Sequence, residues 1–464
     1  MTTRERRLGR PFPGGYPDPR SAEQREHDGR EVHKQAADLT RRSRDVGFRR
    51  ELLGLLQGRR DAVHEAVPFD SIPSTRGFDT LVVSGDLLVG ERSLDDPMVR
   101  GLVDREGFVQ SPVECLDGRV VRLARGDVRA TRLDDLARIL RHHGVPASVN
   151  HVTPLGPVAK GLGGPEPSQG ARPFPTGAPQ GANAPAGDQT GGRRRPGRVA
   201  VALIDTGIAA EIRSDHWLAN VRRDHNVDPL DAYPKGGNGF LDFGAGHGTF
   251  ASGIVQQVAP EADLRVYRGL DSDGIGSEVG IACAMVKAAR EGASIINLSL
   301  GTQTLDDQPL VAVEAALEMI DEERHGDQEV LVVAAAGNYA STRPSWPAAF
   351  RRVVAVAGLT ADGRPAEWSS RGFWVDCSTV AEGVVSTYVE GKESTEIDPD
   401  PDTFGPNAWA TWTGTSFAAP QIAGGVARLC RERGLEPRRA LKELLRHGTP
   451  VPDFGRAVEI LPGT

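Results

Sequence analysis

Four polar residues in this chain have the types an acyl-transfer hydrolase requires. Ser416 lies in residues 411–424, TWTGTSFAAPQIAG, and His247 in residues 244–253, GAGHGTFASG. Asp205 ends VALID in residues 201–207, and Asn338 ends VLVVAAAGN in residues 330–338. Each has an ordinary explanation on its own. Serine caps helix N-termini, aspartate and asparagine sit in turns, and a histidine among glycines is commonly structural. Together they supply a nucleophile, a base to take its proton, a carboxylate to fix the base's tautomer and a donor for the oxyanion.

Such groups work only if the fold brings them together. From residue 199 onward, short apolar runs alternate with helical stretches. The spacing predicts strands at 199–204, 264–267, 294–298, 330–335 and 353–357, with helices at 280–290 and 310–322 between them. Continuous Val/Ile/Ala runs indicate strands buried on both faces, hence a parallel α/β sheet. Ligand sites in such sheets form beyond the carboxyl ends of the strands. Asp205 and Asn338 are expected at such ends, His247 and Ser416 at helix starts.

The chain order Asp, His, Ser and four segments carry a family likeness. Residues 201–207, 246–253, 335–338 and 414–420 (GTSFAAP) resemble the signature segments of subtilisin-like serine proteases. The resemblance runs from residue 199 to near the C-terminus. It implies a doubly wound, mainly parallel sheet and a serine endopeptidase. Ser416 would be the nucleophile, His247 the general base and then acid, Asp205 the orienting carboxylate and Asn338 the oxyanion donor. Gly274, Ile275 and Gly276 on one side, with Ser299, Leu300 and Gly301 on the other, would hold a protein or peptide substrate in extended form. No cofactor is required. Structural calcium is common in the family, but its loops vary too much for ligands to be assigned. The sequence departs from the family at Phe250, where a second histidine is usual, at Phe417, where methionine is frequent, and at residues 381–383, Ala-Glu-Gly.

The rest of the 464 residues divides into three parts. Residues 1–74 form a charged arm with one short amphipathic helix around Leu52–Leu56. Residues 75–155 read as strand, helix, strand, strand, helix, strand, a small ferredoxin-like α+β domain in which strands 108–116 and 119–123 form a hairpin turning at Asp117-Gly118. Residues 156–198 are a Gly/Pro/Ala-rich linker, expected to be extended, and 199–464 are the peptidase domain. The small domain is either a propeptide that inhibits or chaperones the peptidase in cis or an accessory domain. The acidic stretch at 390–406 reads as a surface loop, with a weak cation site as the alternative.

A formal net charge of −8 gives no reason to expect nucleic acid as a partner. No apolar run is long enough to span a membrane and no secretory signal opens the chain, so a cytoplasmic location is expected. The four cysteines, 115, 283, 377 and 430, lack metal-ligand spacing and are expected as free thiols. Two alternatives to a general endopeptidase stand beside it. One is a maturation protease dedicated to one partner or leader peptide, and the other is a non-catalytic peptide-binding module.

Overall fold

A computed structural model describes residues 8–12, 18, 20–60, 66–74, 78–154, 164–168, 198–323, 329–396 and 398–463. The peptidase sheet has eight strands in the order 449–451, 455–457, 377–380, 353–359, 331–335, 295–298, 200–205, 263–268. All its neighbours are parallel except the pair 449–451 and 455–457. The predicted strands and helices fall within a residue or two of those observed, because uninterrupted apolar runs admit only the buried position.

Helices cover both faces of the sheet. His247–Val258 and Ala419–Arg433 bury Phe250, Ile254 and Ile422 on one side, and Glu278–Arg290 with Val311–Glu322 bury Ile281, Met285 and Val313 on the other. From strand 200–205 the chain passes first to the neighbour on one side, 263–268, and then to the neighbour on the other, 295–298. This reversal opens a crevice at the end of strand 200–205, and Asp205 is its last residue.

The small domain is built as its pattern predicts. Strands 147–151, 80–90, 120–124 and 109–112 lie side by side, all antiparallel, backed by helices Pro97–Glu106 and Ala130–His142. An extra strand, 69–72, pairs with the first half of 80–90. The hairpin turn is present, with positive φ at Asp117 (49°) and Gly118 (77°). Its first strand, however, is 109–112 rather than the expected 108–116, and residues 114–116 form a 3-10 turn.

That turn corrects the cysteine expectation. Cys115 leaves the sheet and joins Cys283 of helix Glu278–Arg290 in a disulfide across the two domains (Cα–Cα 5.4 Å). Only Cys377 and Cys430 are free thiols, and both are buried.

The N-terminal arm is also more ordered than expected. It holds two helices, Ala22–Arg44 and Val46–Arg60. The first opens with a capping box, Ser21 Oγ accepting from Gln24 N–H and Gln24 Oε1 accepting from Ser21 N–H. Its buried side chains are largely polar, which hides the burial from a hydrophobic-period reading. Gln35 donates to Gly164 O (2.7 Å) and Thr411 O (3.1 Å) and accepts from Thr413 Oγ1 (2.7 Å).

Of the linker, residues 164–168 and 198 are described, and Glu166–Pro167 pairs with Ala410–Thr411; the remainder lies outside the described residues. The stretch 390–406 is braced by pairing of Gly391–Lys392 with Thr403–Phe404, and Glu393 and Asp398 are buried, so it is not a plain surface loop.

Candidate active site

Asp205 is fully buried, and its Oδ1 accepts from Thr206 N–H (2.8 Å) and from Nδ1 of His247 (2.7 Å). This contact depends on two glycines. Gly207 turns the chain at φ 117°, and a Cβ on Gly248 would stand 2.1 Å from Gly207 O. Helix His247–Val258 can therefore start directly against the end of strand 200–205 only with glycine at 248.

Asp228, which the sequence did not single out, clamps this junction. Its Oδ2 accepts from Thr206 Oγ1 (2.9 Å) and from Gly246 N–H (2.9 Å), while Thr206 Oγ1 accepts from Gly248 N–H (3.1 Å). Burial pushes the Asp228 carboxyl up to about 6, against the pull of these N–H and O–H donors. One carboxylate thus ties the residue after Asp205 to the residue before His247.

With Asp205 at Nδ1, the His247 tautomer that donates from Nδ1 leaves Nε2 as the basic nitrogen. The imidazole is walled by Trp412, edge-on at 5.4 Å, and Phe417, tilted at 5.3 Å between ring centroids. Phe250 packs on Phe417 at 4.6 Å and on Trp412 at 5.6 Å. Two of the three departures from the family pattern, Phe250 and Phe417, therefore pack on each other beside the imidazole.

Ser416 lies in the 3-10 turn Thr415–Phe417, just ahead of helix Ala419–Arg433, and its side chain caps no helix. Its hydroxyl donates to Ser299 O (3.0 Å), while Ser299 Oγ donates to Ser416 O (2.7 Å). Among the described residues no hydrogen bond joins Ser416 to His247. Such bonds are often long or misaligned in unliganded enzymes. Asn338 Oδ1 accepts from Thr415 N–H (3.0 Å) and Oγ1 (2.9 Å), which commits the amide oxygen and leaves the NH2 end to donate elsewhere.

The predicted substrate edges face a strand, and it is the chain's own. Val152 bridges Ser277 in antiparallel fashion, and Thr153 N–H donates to Gly276 O (2.8 Å). On the other side Gly301 N–H donates to Pro154 O (3.2 Å). The preceding residue, His151, is buried with Nδ1 at 2.8 Å from Glu278 Oε2 of the peptidase domain.

Beside this edge lies a second feature absent from the sequence reading. Arg59 and Arg60, ending helix Val46–Arg60, enter a cluster of Asp242, Asp271 and Asp273, with Arg59 at 2.6 Å from Asp242 and Arg60 at 2.5 Å from Asp271. Burial and the neighbouring carboxylate of Asp242 raise the Asp273 carboxyl to about 7 despite the arginines. No helix among the described residues is long and apolar enough to cross a membrane. Nor, among them, is any group of three or more His, Cys, Asp or Glu side chains placed to hold a metal ion, so no calcium ligands are named.

A buried carboxylate at the end of a parallel strand on an imidazole at a helix start, with a serine ahead of a second helix and an asparagine just past strand 331–335, defines an α/β serine hydrolase. The chain belongs to the subtilase family (peptidase S8), whose pattern matches residues 197–455, and it is a serine endopeptidase. It is 29% identical over 246 residues to thermitase of Thermoactinomyces vulgaris, covering 50% of this chain and 75% of thermitase. It is 32% identical over 257 residues to the thermophilic serine proteinase of Bacillus sp. (strain AK1), covering 52% of this chain and 55% of that protein. Among solved structures, fervidolysin of Fervidobacterium pennivorans, a keratinolytic enzyme, matches at TM-score 0.51 and 17% identity, over 82% of this chain and 60% of its own. The epidermin leader peptide processing serine protease of Staphylococcus aureus matches at TM-score 0.51 and 17% identity, over 81% of this chain and 96% of its own. The two structures share the fold, and their coverage extends beyond the peptidase domain alone.

Proposed function

We propose that Asp205, His247 and Ser416 are the catalytic triad, and that residues 1–155 are a cis-acting inhibitory region whose segment Val152–Pro154 occupies the substrate cleft. In this reading Ser416 Oγ attacks the substrate carbonyl carbon as His247 Nε2 takes its proton. The tetrahedral oxyanion is met by the Asn338 amide. His247 then protonates the leaving amine, and water, deprotonated by the same nitrogen, releases the acyl group. Asp205 stays ionised and holds the imidazolium through Nδ1–H. The substrate is an extended protein or peptide segment added as a strand between residues 274–276 and 299–301.

The observation that carries the cis reading is the seating of Val152–Pro154 on both edges at once, through Gly276 O and Gly301 N–H. Its test is intact mass and fluorophosphonate labelling of the wild type against Ser416→Ala. We expect a cut between residues 155 and 199 and a labelled wild type, with both absent in the variant. An uncut, fully active wild type would sink the inhibitory role; labelling unaffected by Ser416→Ala would sink the triad. Disulfides persist in oxidising surroundings, so Cys115–Cys283 favours such a compartment over the cytoplasm expected from the N-terminus.

A further inference from the structure

The segment on the substrate edge sends its N–H groups alternately to two sides, as a strand between two partners does. Val152 N–H donates to Leu81 O of the small domain (2.9 Å), whereas those of His151 and Thr153 face the peptidase domain. Thr153 finds a main-chain acceptor there, Gly276 O. His151 does not, because the edge has ended. Ser277, which bridges Val152, is the N-cap of helix Glu278–Arg290, and from Glu278 onward the backbone carbonyls run along the helix axis. The acceptor for His151 N–H is instead a side chain, Oε2 of Glu278 (3.1 Å). One carboxylate thus lengthens the edge by a residue.

The same oxygen accepts from His151 Nδ1 (2.8 Å). The other oxygen, Oε1, accepts from Ala312 N–H (3.0 Å) at the start of helix Val311–Glu322. That bond holds the carboxylate in place with Oε2 toward the segment. Glu278 and His151 are both buried. Both bonds to Oε2 come from His151 and leave with it. Any residue except proline can restore the main-chain one, but the second needs a side chain that donates. An aliphatic side chain at this position leaves a desolvated carboxylate one bond short. An acidic one sets two carboxylates against each other.

We propose that Glu278 is a specificity-determining residue of the cleft. It selects peptides with a basic, hydrogen-bond-donating side chain at the position His151 occupies, two residues before the one whose N–H pairs with Gly276 O. The proposal deepens the reading that substrates add to the cleft as Val152–Pro154 does, and rests on it. His151 is then the chain's own version of the preferred side chain.

The test uses the protein cut in its linker, with Cys115–Cys283 reduced, at nanomolar concentration so that the small domain leaves. Peptides of residues 147–156, ASVNHVTPLG, with His, Leu or Glu at position 151, compete with casein for hydrolysis. The His peptide should half-inhibit at roughly a tenth of the concentration the Leu peptide needs, the worth of a hydrogen bond to a charged group, and the Glu peptide should be weaker still. Glu278→Gln keeps an acceptor for Ala312 N–H but loses the charge. It should bring the His and Leu peptides within about threefold of each other, as for a neutral bond, and lift the penalty on Glu. Equal inhibition of wild type by all three peptides would overturn the proposal, and that result needs no variant to fold. A tenfold preference that survives Glu278→Gln would overturn it as well. Failure of the cleft reading looks different. The His peptide methylated on the nitrogen of its Thr153 would then inhibit as well as its parent, whereas a seated strand loses the bond to Gly276 O and weakens at least about fivefold.

Discussion

The disulfide makes a sharp prediction about how the small domain is retained. Cys115 and Cys283 are separated by 168 residues, and the loop they close contains the whole linker. Loop-closure entropy for 168 residues amounts to roughly 5 kcal/mol, a ceiling, since measured disulfides mostly contribute about 2–4 kcal/mol. Around that bond the two domains share Val113, Leu116 and Val120 packed against the helices bearing Met285 and Leu317. The nearby ion pairs, Arg119–Glu322 and Arg290–Asp117, are solvent-exposed, and pairs of this kind contribute about 0–1 kcal/mol. The covalent bond therefore outweighs the local charges. Once the linker is cut, it converts a bimolecular equilibrium into an intramolecular one, with an effective concentration on the order of millimolar.

The assay follows from this. A specific protease site placed within 176–182 is cut in the Ser416→Ala chain, and the pieces are run on denaturing gels with and without dithiothreitol. One band without reductant and two with it are expected, while Cys115→Ser gives two in both. Dithiothreitol closes to its own cyclic disulfide as Cys115 and Cys283 become thiols. In the catalytically intact protein cut the same way and diluted to nanomolar, reduction should raise peptide hydrolysis because the untethered domain can leave. The reasoning fails if native, unreduced protein takes up alkylating reagent at Cys115. It also fails if reduction leaves the cut pieces joined on the denaturing gel.

Two further outcomes are expected at and beside the site. Asn338→Ala should lower kcat about a hundred- to a thousandfold with little change in KM. That figure is the measured cost of losing one such donor in subtilisin, a member of the same family, and is not worked from the distances here. Asp273 holds its proton more tightly in the folded protein than the ordinary value of 3.8, its carboxyl being raised to about 7, so its contribution is complete below about 4 and is lost as pH rises to about 7. Across that window Asp273→Asn should flatten the fall in stability, by at most about 1.4 kcal/mol per pH unit. Urea midpoints of both proteins at pH 4.5, 5.5, 6.5 and 7.5 check it, and parallel profiles would refute it; Asp242, Asp271, Arg59 and Arg60 face the group in both proteins.

What could be read from the sequence follows a physical division. Strands 200–205, 295–298 and 331–335 are buried throughout, so uninterrupted apolar runs located them and placed Asp205 and Asn338 at their ends. The glycines around His247 were visible, and the structure explains them by the approach of residue 248 to Gly207 O. The parts that escaped are held by polar groups whose partners are remote in sequence. Gln35 reaches Thr411, Arg59 reaches Asp242 and His151 reaches Glu278, and no local period announces such pairings. Cys115 escaped for a related reason: its pairing depends on a 3-10 turn where the alternation read as strand. Asp228 escaped too, although it bridges Thr206 and Gly246, because a turn aspartate looks the same whether it binds its own loop or clamps two others. Asp205 and Asn338 come from the ends of apolar runs, whereas Gln35, Arg59 and His151 join the peptidase domain through long-range polar contacts. Chemistry was therefore legible where burial is periodic. The covering of the cleft became visible only when buried hydrogen bonds could be assigned to partners more than a hundred residues away.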